Sequence, residues 1–91
     1  MEIDREREFD IKNLLGLHAR AAAQLVHLAN GYSSEIKLAR EGMQVNGKSI
    51  MGVLMLAAPK GSRIRVMATG VDADAALDAI GALIDCKFGE E

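Results

Sequence analysis

The chain has 91 residues, 49% hydrophobic and 3% aromatic, with 13 acidic and 11 basic side chains and a formal net charge of −2. That length makes one small domain with a shallow core, packed from Ala, Leu, Ile, Val and Met. The charge balance excludes a basic nucleic-acid-binding surface, no apolar run reaches the roughly 18 residues of a membrane span, and no signal peptide opens the chain.

Residues 1–5 are expected to form a flexible tail ahead of a single domain over 6–91. From Arg7 to Lys12 apolar and charged residues alternate, with Phe9 and Ile11 on one side and Glu8, Asp10 and Lys12 on the other. That period of two predicts a half-buried strand. Asn13 to Leu17 lead into a helix predicted over Ala19–Ala29, whose buried face is Ala22, Leu25, Val26 and Ala29 at spacings of three and four. Asn30-Gly31 should stop it, since both residues tolerate the left-handed conformation. The next strand, Ser34 to Arg40, points Ile36 and Leu38 inward. Glu41-Gly42 makes a hairpin turn, and Met43 to Val45 return.

Asn46-Gly47-Lys48 breaks the pattern, and the Ser49 hydroxyl suits the cap of a short helix over Ile50–Leu56. Pro59-Lys60-Gly61 turns the chain into a strand from Arg63 to Ala68, with Ile64, Val66 and Ala68 inward. Asp72 is expected to cap the last helix, Ala73 to Cys86, whose core face is Ala76, Leu77, Ile80, Leu83 and Ile84. Gly81 inside that helix marks a close approach to a neighbour. The order is β-α-β-β-α-β-α. One-sided alternation in the strands predicts an α+β open-faced sandwich, a four-stranded antiparallel sheet covered on one face by three helices. The two β-α-β halves form a weak structural pseudo-repeat without a sequence repeat.

Residues 16–26, Gly-Leu-His-Ala-Arg-Ala-Ala-Ala-Gln-Leu-Val, hold the candidate chemistry. His18 falls where an extended segment becomes a helix. The first helical N–H groups have no intrahelical acceptor, and the positive end of the dipole favours a neutral, nucleophilic imidazole. The same N–H groups, those of Ala19 and Arg20, can hold an anion placed on that ring. The Arg20 guanidinium adds a permanent cation able to bridge two phosphate oxygens. His27 lies nine positions on, at about 100° per residue on the opposite side of the helix, so the two histidines cannot share a metal ion. No metal site or cofactor is expected. Residues 59–63 lack the glycine pattern of a P-loop. Cys86 reads as a small packing residue. As the only cysteine it has no partner for an internal disulfide, which fits a reducing cytoplasm. A hydrolase built on Ser49 and His18 lacks an orienting carboxylate and a pocket.

The His18 segment resembles the active-site segment of HPr, the histidine phosphocarrier family of the phosphoenolpyruvate-dependent phosphotransferase system. Residues 46–56, Asn-Gly-Lys-Ser-Ile-Met-Gly-Val-Leu-Met-Leu, resemble the regulatory-serine segment of the same family. The resemblance runs from about residue 8 to 88. It implies that His18 accepts a phosphoryl group from enzyme I and passes it to an enzyme IIA-type acceptor protein. The chain is then a phosphoryl-transfer protein that turns over no small substrate by itself.

The resemblance also implies a regulatory phosphorylation site at Ser49, served by a serine kinase/phosphorylase. It implies a docking patch at Leu17, Ile50 and Met51 and a cytoplasmic, monomeric protein. The alternative is a regulatory interaction module of the same fold, controlled at Ser49. Ala21 stands where the family usually has proline, which leaves the first helical turn softer. Asn-Gly-Lys-Ser-Ile-Met-Gly resembles carbon-uptake members, whereas Lys87-Phe88-Gly89-Glu90-Glu91 looks more like the nitrogen-related branch.

Overall fold

The computed structural model describes residues 3–90. The elements are β1 (Asp4–Asp10), α1 (Ala19–Ala29), β2 (Glu35–Arg40), β3 (Met43–Asn46), α2 (Ile50–Met55), β4 (Arg63–Thr69) and α3 (Ala73–Asp85). The four strands form one antiparallel sheet in the order β1-β4-β2-β3. β1 and β2 thus flank β4, and β4 and β3 flank β2, so the two β-α-β units are interleaved. The helices cover one face of the sheet, as the alternation requires. Ile36, Leu38, Ile64, Val66 and Ala68 are buried under Leu25, Val26, Leu77, Ile80 and Ile84.

α1 has the predicted bounds, and Ala21 joins Ala22 and Ala29 among its fully buried residues. Side chains this small let the helix lie close to the sheet. Its end differs from expectation. Asn30 keeps a right-handed φ of −70°, and its side-chain Nδ2 donates to the Val26 carbonyl at 2.9 Å. The Asn30 amide thus does at the helix end what a left-handed glycine was expected to do. The Glu41-Gly42 turn does have positive φ at both residues, 48° and 83°, the signature of a tight type I′ hairpin.

β1 begins at Asp4, three residues before the alternation starts. Asp4 and Arg5, assigned to a tail from the sequence, pair with Thr69 and Ala68 of β4. Met1 and Glu2 of that tail lie outside the described residues. Ahead of Phe9, the side chains on the helix-facing side of this edge strand are charged. Arg5 pairs with Asp74 at 3.1 Å and Arg7 with Asp78 at 2.7 Å, both on α3, and beyond the strand Lys12 reaches Asp85 at 2.9 Å. These pairs are solvated and individually worth about 0–1 kcal/mol, so the β4 ladder is the main anchor of this end.

Within α3, Gly81 meets Phe9. A Cβ at position 81 would stand 2.8 Å from the ring's Cε1, which explains the glycine. Cys86 is exposed at the end of α3, a correction to its reading as a packing residue. Its Sγ contacts the Leu83 carbonyl at 3.3 Å. No described helix is long and apolar enough to cross a membrane.

Candidate functional site

The loop from Asn13 to Leu17 brings the chain to the start of α1. Gly16 has φ +66°, and a Cβ there would collide with the Ala58 carbonyl and stand 2.9 Å from Pro59 Cα. Only glycine fits both the conformation and the approach. The Leu17 N–H then bonds the Ala58 carbonyl at 2.9 Å, tying this loop to the segment that follows α2. Leu17 is 4% exposed and belongs to the core, which corrects its place in the expected docking patch. Its apolar side chain is spent on packing, and the exposed neighbours are Leu14 and Leu15.

His18 is the N-cap of α1, with extended backbone at φ −75° and ψ 178°. Its carbonyl accepts from Ala22 N at 2.8 Å, and its ring Nδ1 accepts from the Arg20 backbone N–H at 3.3 Å. A ring nitrogen that faces an N–H must offer a lone pair, so the proton of the neutral ring sits on Nε2. Nε2 in turn lies 2.6 Å from Oε2 of Glu90. The ring is 27% and the carboxylate 17% exposed, so the pair is half-sheltered and open to solvent on one side.

Glu90 arrives there through an unusual backbone. Lys87, Phe88 and Gly89 all have positive φ, at 59°, 55° and 78°. The first two are non-glycine residues, for which the left-handed region costs about 1–2 kcal/mol each. The buried Phe88 ring anchors the turn against the core. The Asn13 amide donates to Glu90 Oε2 at 2.9 Å and to the Gly16 carbonyl at 2.7 Å. The hydrogen bond from His18 holds the Glu90 carboxyl below its usual range. Asn13 and the Leu15 N–H act in the same direction, against the opposing effect of burial. Neither Asn13 nor Glu90 stood out in the sequence. Lys-Phe-Gly carries no turn signal for a left-handed run, and nothing local connects residue 90 to residue 18.

The remaining predicted residues fall on two neighbouring helices. Arg20 is exposed in the first turn of α1, and its guanidinium has no ion-pair partner among the described residues. The Ala19 N–H is one of the first helical donors without an intrahelical acceptor. Ser49 caps α2, its Oγ accepting from Gly52 N at 3.1 Å. On that helix Val53 is the buried anchor, while Ile50, Met51 and Met55 are exposed, Met51 at 70%. His27 is exposed at the far end of α1.

This arrangement offers a ring nitrogen with a lone pair, backbone donors at the helix start, an exposed cation and, on the neighbouring helix, exposed apolar side chains. The chain as a whole is similar to known proteins. The model of the family described as PTS HPr component phosphorylation site matches residues 5–85. The phosphocarrier protein HPr of Cupriavidus necator is 51% identical over 93% of this chain and 96% of its own length. The phosphocarrier protein NPr of Shewanella violacea is 47% identical over 93% of each chain. Among solved structures, HPr-C-His from Thermoanaerobacter tengcongensis superposes with a TM-score of 0.92 at 42% identity, covering 96% of this chain and 98% of that one. With a matching fold, a histidine-bearing helix start and these relatives, the chain belongs to the HPr phosphocarrier family of the phosphotransferase system.

Proposed function

We propose that His18 accepts a phosphoryl group on Nδ1 from phosphorylated enzyme I and passes it to an enzyme IIA-type acceptor protein in the cytoplasm. The observation that carries this reading is the orientation of the His18 ring, with Nδ1 aimed at the first N–H groups of α1. In the reaction the Nδ1 lone pair forms the N–P bond as the bond from phosphorus to the donor's leaving atom breaks. The 3.3 Å contact to Arg20 N is long and is given up easily. The Arg20 N–H and Ala19 N–H are then free to donate to the phosphoryl oxygens, and the Arg20 guanidinium swings in as a second counter-charge.

A nucleophile open to solvent on one side needs its partner to exclude water there. Ile50 and Met51, with exposed Met55 on the same helix, supply an apolar surface for that docking. Met adapts to more than one partner, which suits a carrier that meets a donor and an acceptor in turn. A monomer leaves this face free. Phosphorylation of Ser49 by a serine kinase would put about two negative charges at the start of α2, beside Ile50 and Met51, and weaken docking to an acidic partner.

The test is phosphorylation of the chain by purified enzyme I and phosphoenolpyruvate, beside His18→Ala. One added phosphate by mass, labile in acid and missing from the variant, is expected. A wild-type chain that takes no phosphate from several different enzymes I overturns the proposal.

A further inference from the structure

We propose that Lys12, Lys60 and Lys87 form a binding site for a small anion carrying two phosphate groups, distinct from the start of α1. The three lysines line one shallow cleft of about 550 Å³ together with Asp10, Ile11 and Gly61. That volume falls within the roughly 300–1,000 Å³ of small-molecule sites. The lysines come from three segments far apart in sequence: just beyond β1, the turn after Pro59, and the left-handed turn after α3. Asp10, the one carboxylate in the lining, is engaged by Arg63 Nε at 3.0 Å, and Lys12 Nζ holds Asp85 at 2.9 Å. Lys60 and Lys87 form no ion pair among the described residues. A chain of net charge −2 thus carries a local surplus of positive charge at this cleft.

The backbone of the cleft is held in place. The Ile11 N–H donates to the Ser62 carbonyl at 2.8 Å and the Gly61 N–H to the Ile11 carbonyl at 2.7 Å, which clamps the 59–62 turn to the end of β1. Lys87, at φ 59°, opens the turn that buried Phe88 anchors. What is left to adjust is the lysine side chains, each ending in a compact cation with three rotatable donors suited to phosphate oxygens. A diphosphate offers oxygens to all three ammonium groups at once, and more charge than a monophosphate. Binding makes and breaks no covalent bond. Lys87 stands three residues ahead of Glu90, whose carboxylate lies 2.6 Å from His18 Nε2. An anion that ties the 87–89 turn to the 59–62 turn therefore acts beside His18 without occupying its ring or the first N–H groups of α1. The binding claim does not depend on His18 being the phosphoacceptor.

The experiment titrates the full chain with inorganic pyrophosphate and with orthophosphate at constant ionic strength, followed by ¹⁵N amide shifts and by calorimetry. The variants are Lys60→Ala and Lys87→Ala, both at exposed positions, with Lys37→Ala on β2 as the control. We expect saturable one-to-one binding of pyrophosphate, with shifts centred on residues 10–12, 60–61 and 87–90. Orthophosphate should bind about tenfold more weakly, and each cleft variant should lose about tenfold in affinity for pyrophosphate. Lys37→Ala should bind as wild type does.

Shifts confined to Ala19 and Arg20 would put the anion at the start of α1 and overturn the proposal. So would shifts that sodium chloride reproduces, or an affinity unchanged in both cleft variants. Tighter binding of a hexaglutamate peptide than of pyrophosphate would make the cleft a docking surface for acidic protein segments, and would overturn its assignment to a small phosphate-bearing ligand.

Discussion

The carboxylate of Asp72 turns away from the helix it precedes and binds Ser34, accepting from its backbone N–H at 2.9 Å and from its hydroxyl. It also takes the Ser33 N–H at 2.9 Å. An acid expected to cap α3 thus ties the start of α3 to the start of β2. These bonds, led by the Ser34 hydroxyl and the Ser33 N–H, lower its pKa from 3.8 to about 2. A depressed carboxyl contributes stability in full above 3.8 and loses it as pH falls toward about 2. Asp72→Asn should therefore unfold at lower urea than wild type near neutral pH, with the gap closing across that acid window. A gap that stays constant down to pH 2 would show that the charge of Asp72 is irrelevant.

Gly81 and Phe9 set opposing effects against each other. Gly81→Ala gains about 1 kcal/mol of helix propensity. The new Cβ would stand 2.8 Å from Phe9 Cε1 and 3.3 Å from Cζ, and such overpacking costs about 1–3 kcal/mol. We expect a net loss of about 1 kcal/mol in chemical denaturation. In a Phe9→Leu background the clash is gone, and the same substitution should become stabilising. If Gly81→Ala behaves alike in both backgrounds, the ring is not what keeps glycine there.

Leu17 and Met51 separate packing from docking. Leu17→Ala removes a buried side chain and should destabilise by about 2–5 kcal/mol. Met51→Ala, at an exposed position, should stay within about 0.5 kcal/mol of wild type while raising KM for enzyme I. An unchanged KM for Met51→Ala would remove that residue from the docking patch.

Ser49 combines a structural role with a proposed regulatory one. Ser49→Ala deletes the cap on Gly52 N and should cost about 1 kcal/mol. Ser49→Asp keeps an acceptor at the cap, so its stability should remain near wild type. Its added charge should slow association with enzyme I, an effect that weakens with added salt. Full-speed phosphoryl acceptance by Ser49→Asp at low salt would argue against regulation through charge at this position.

Much of this protein is legible from its residues in order. Period-two alternation located the inner faces of β2 and β4, period-3.6 spacing located α1 and α3, and Ser49 announced α2, because one-dimensional patterns mirror which side of an element meets the core. His18 at a helix start, with Arg20 two residues on, was equally readable, since both lie within one turn. The tertiary structure decided whatever joins distant segments. Asp4–Glu8 carry no apolar alternation, and they are a strand because β4 offers its ladder and α3 its aspartates. Leu17 is core because the loop is pulled onto Ala58, and Asp72 serves β2 because its carboxylate is taken up by the Ser33 and Ser34 donors instead of a helix N–H. Glu90 meets His18 across 72 residues of sequence through a left-handed turn pinned by Phe88. Contacts of that range depend on the closed core, and no local spacing encodes them.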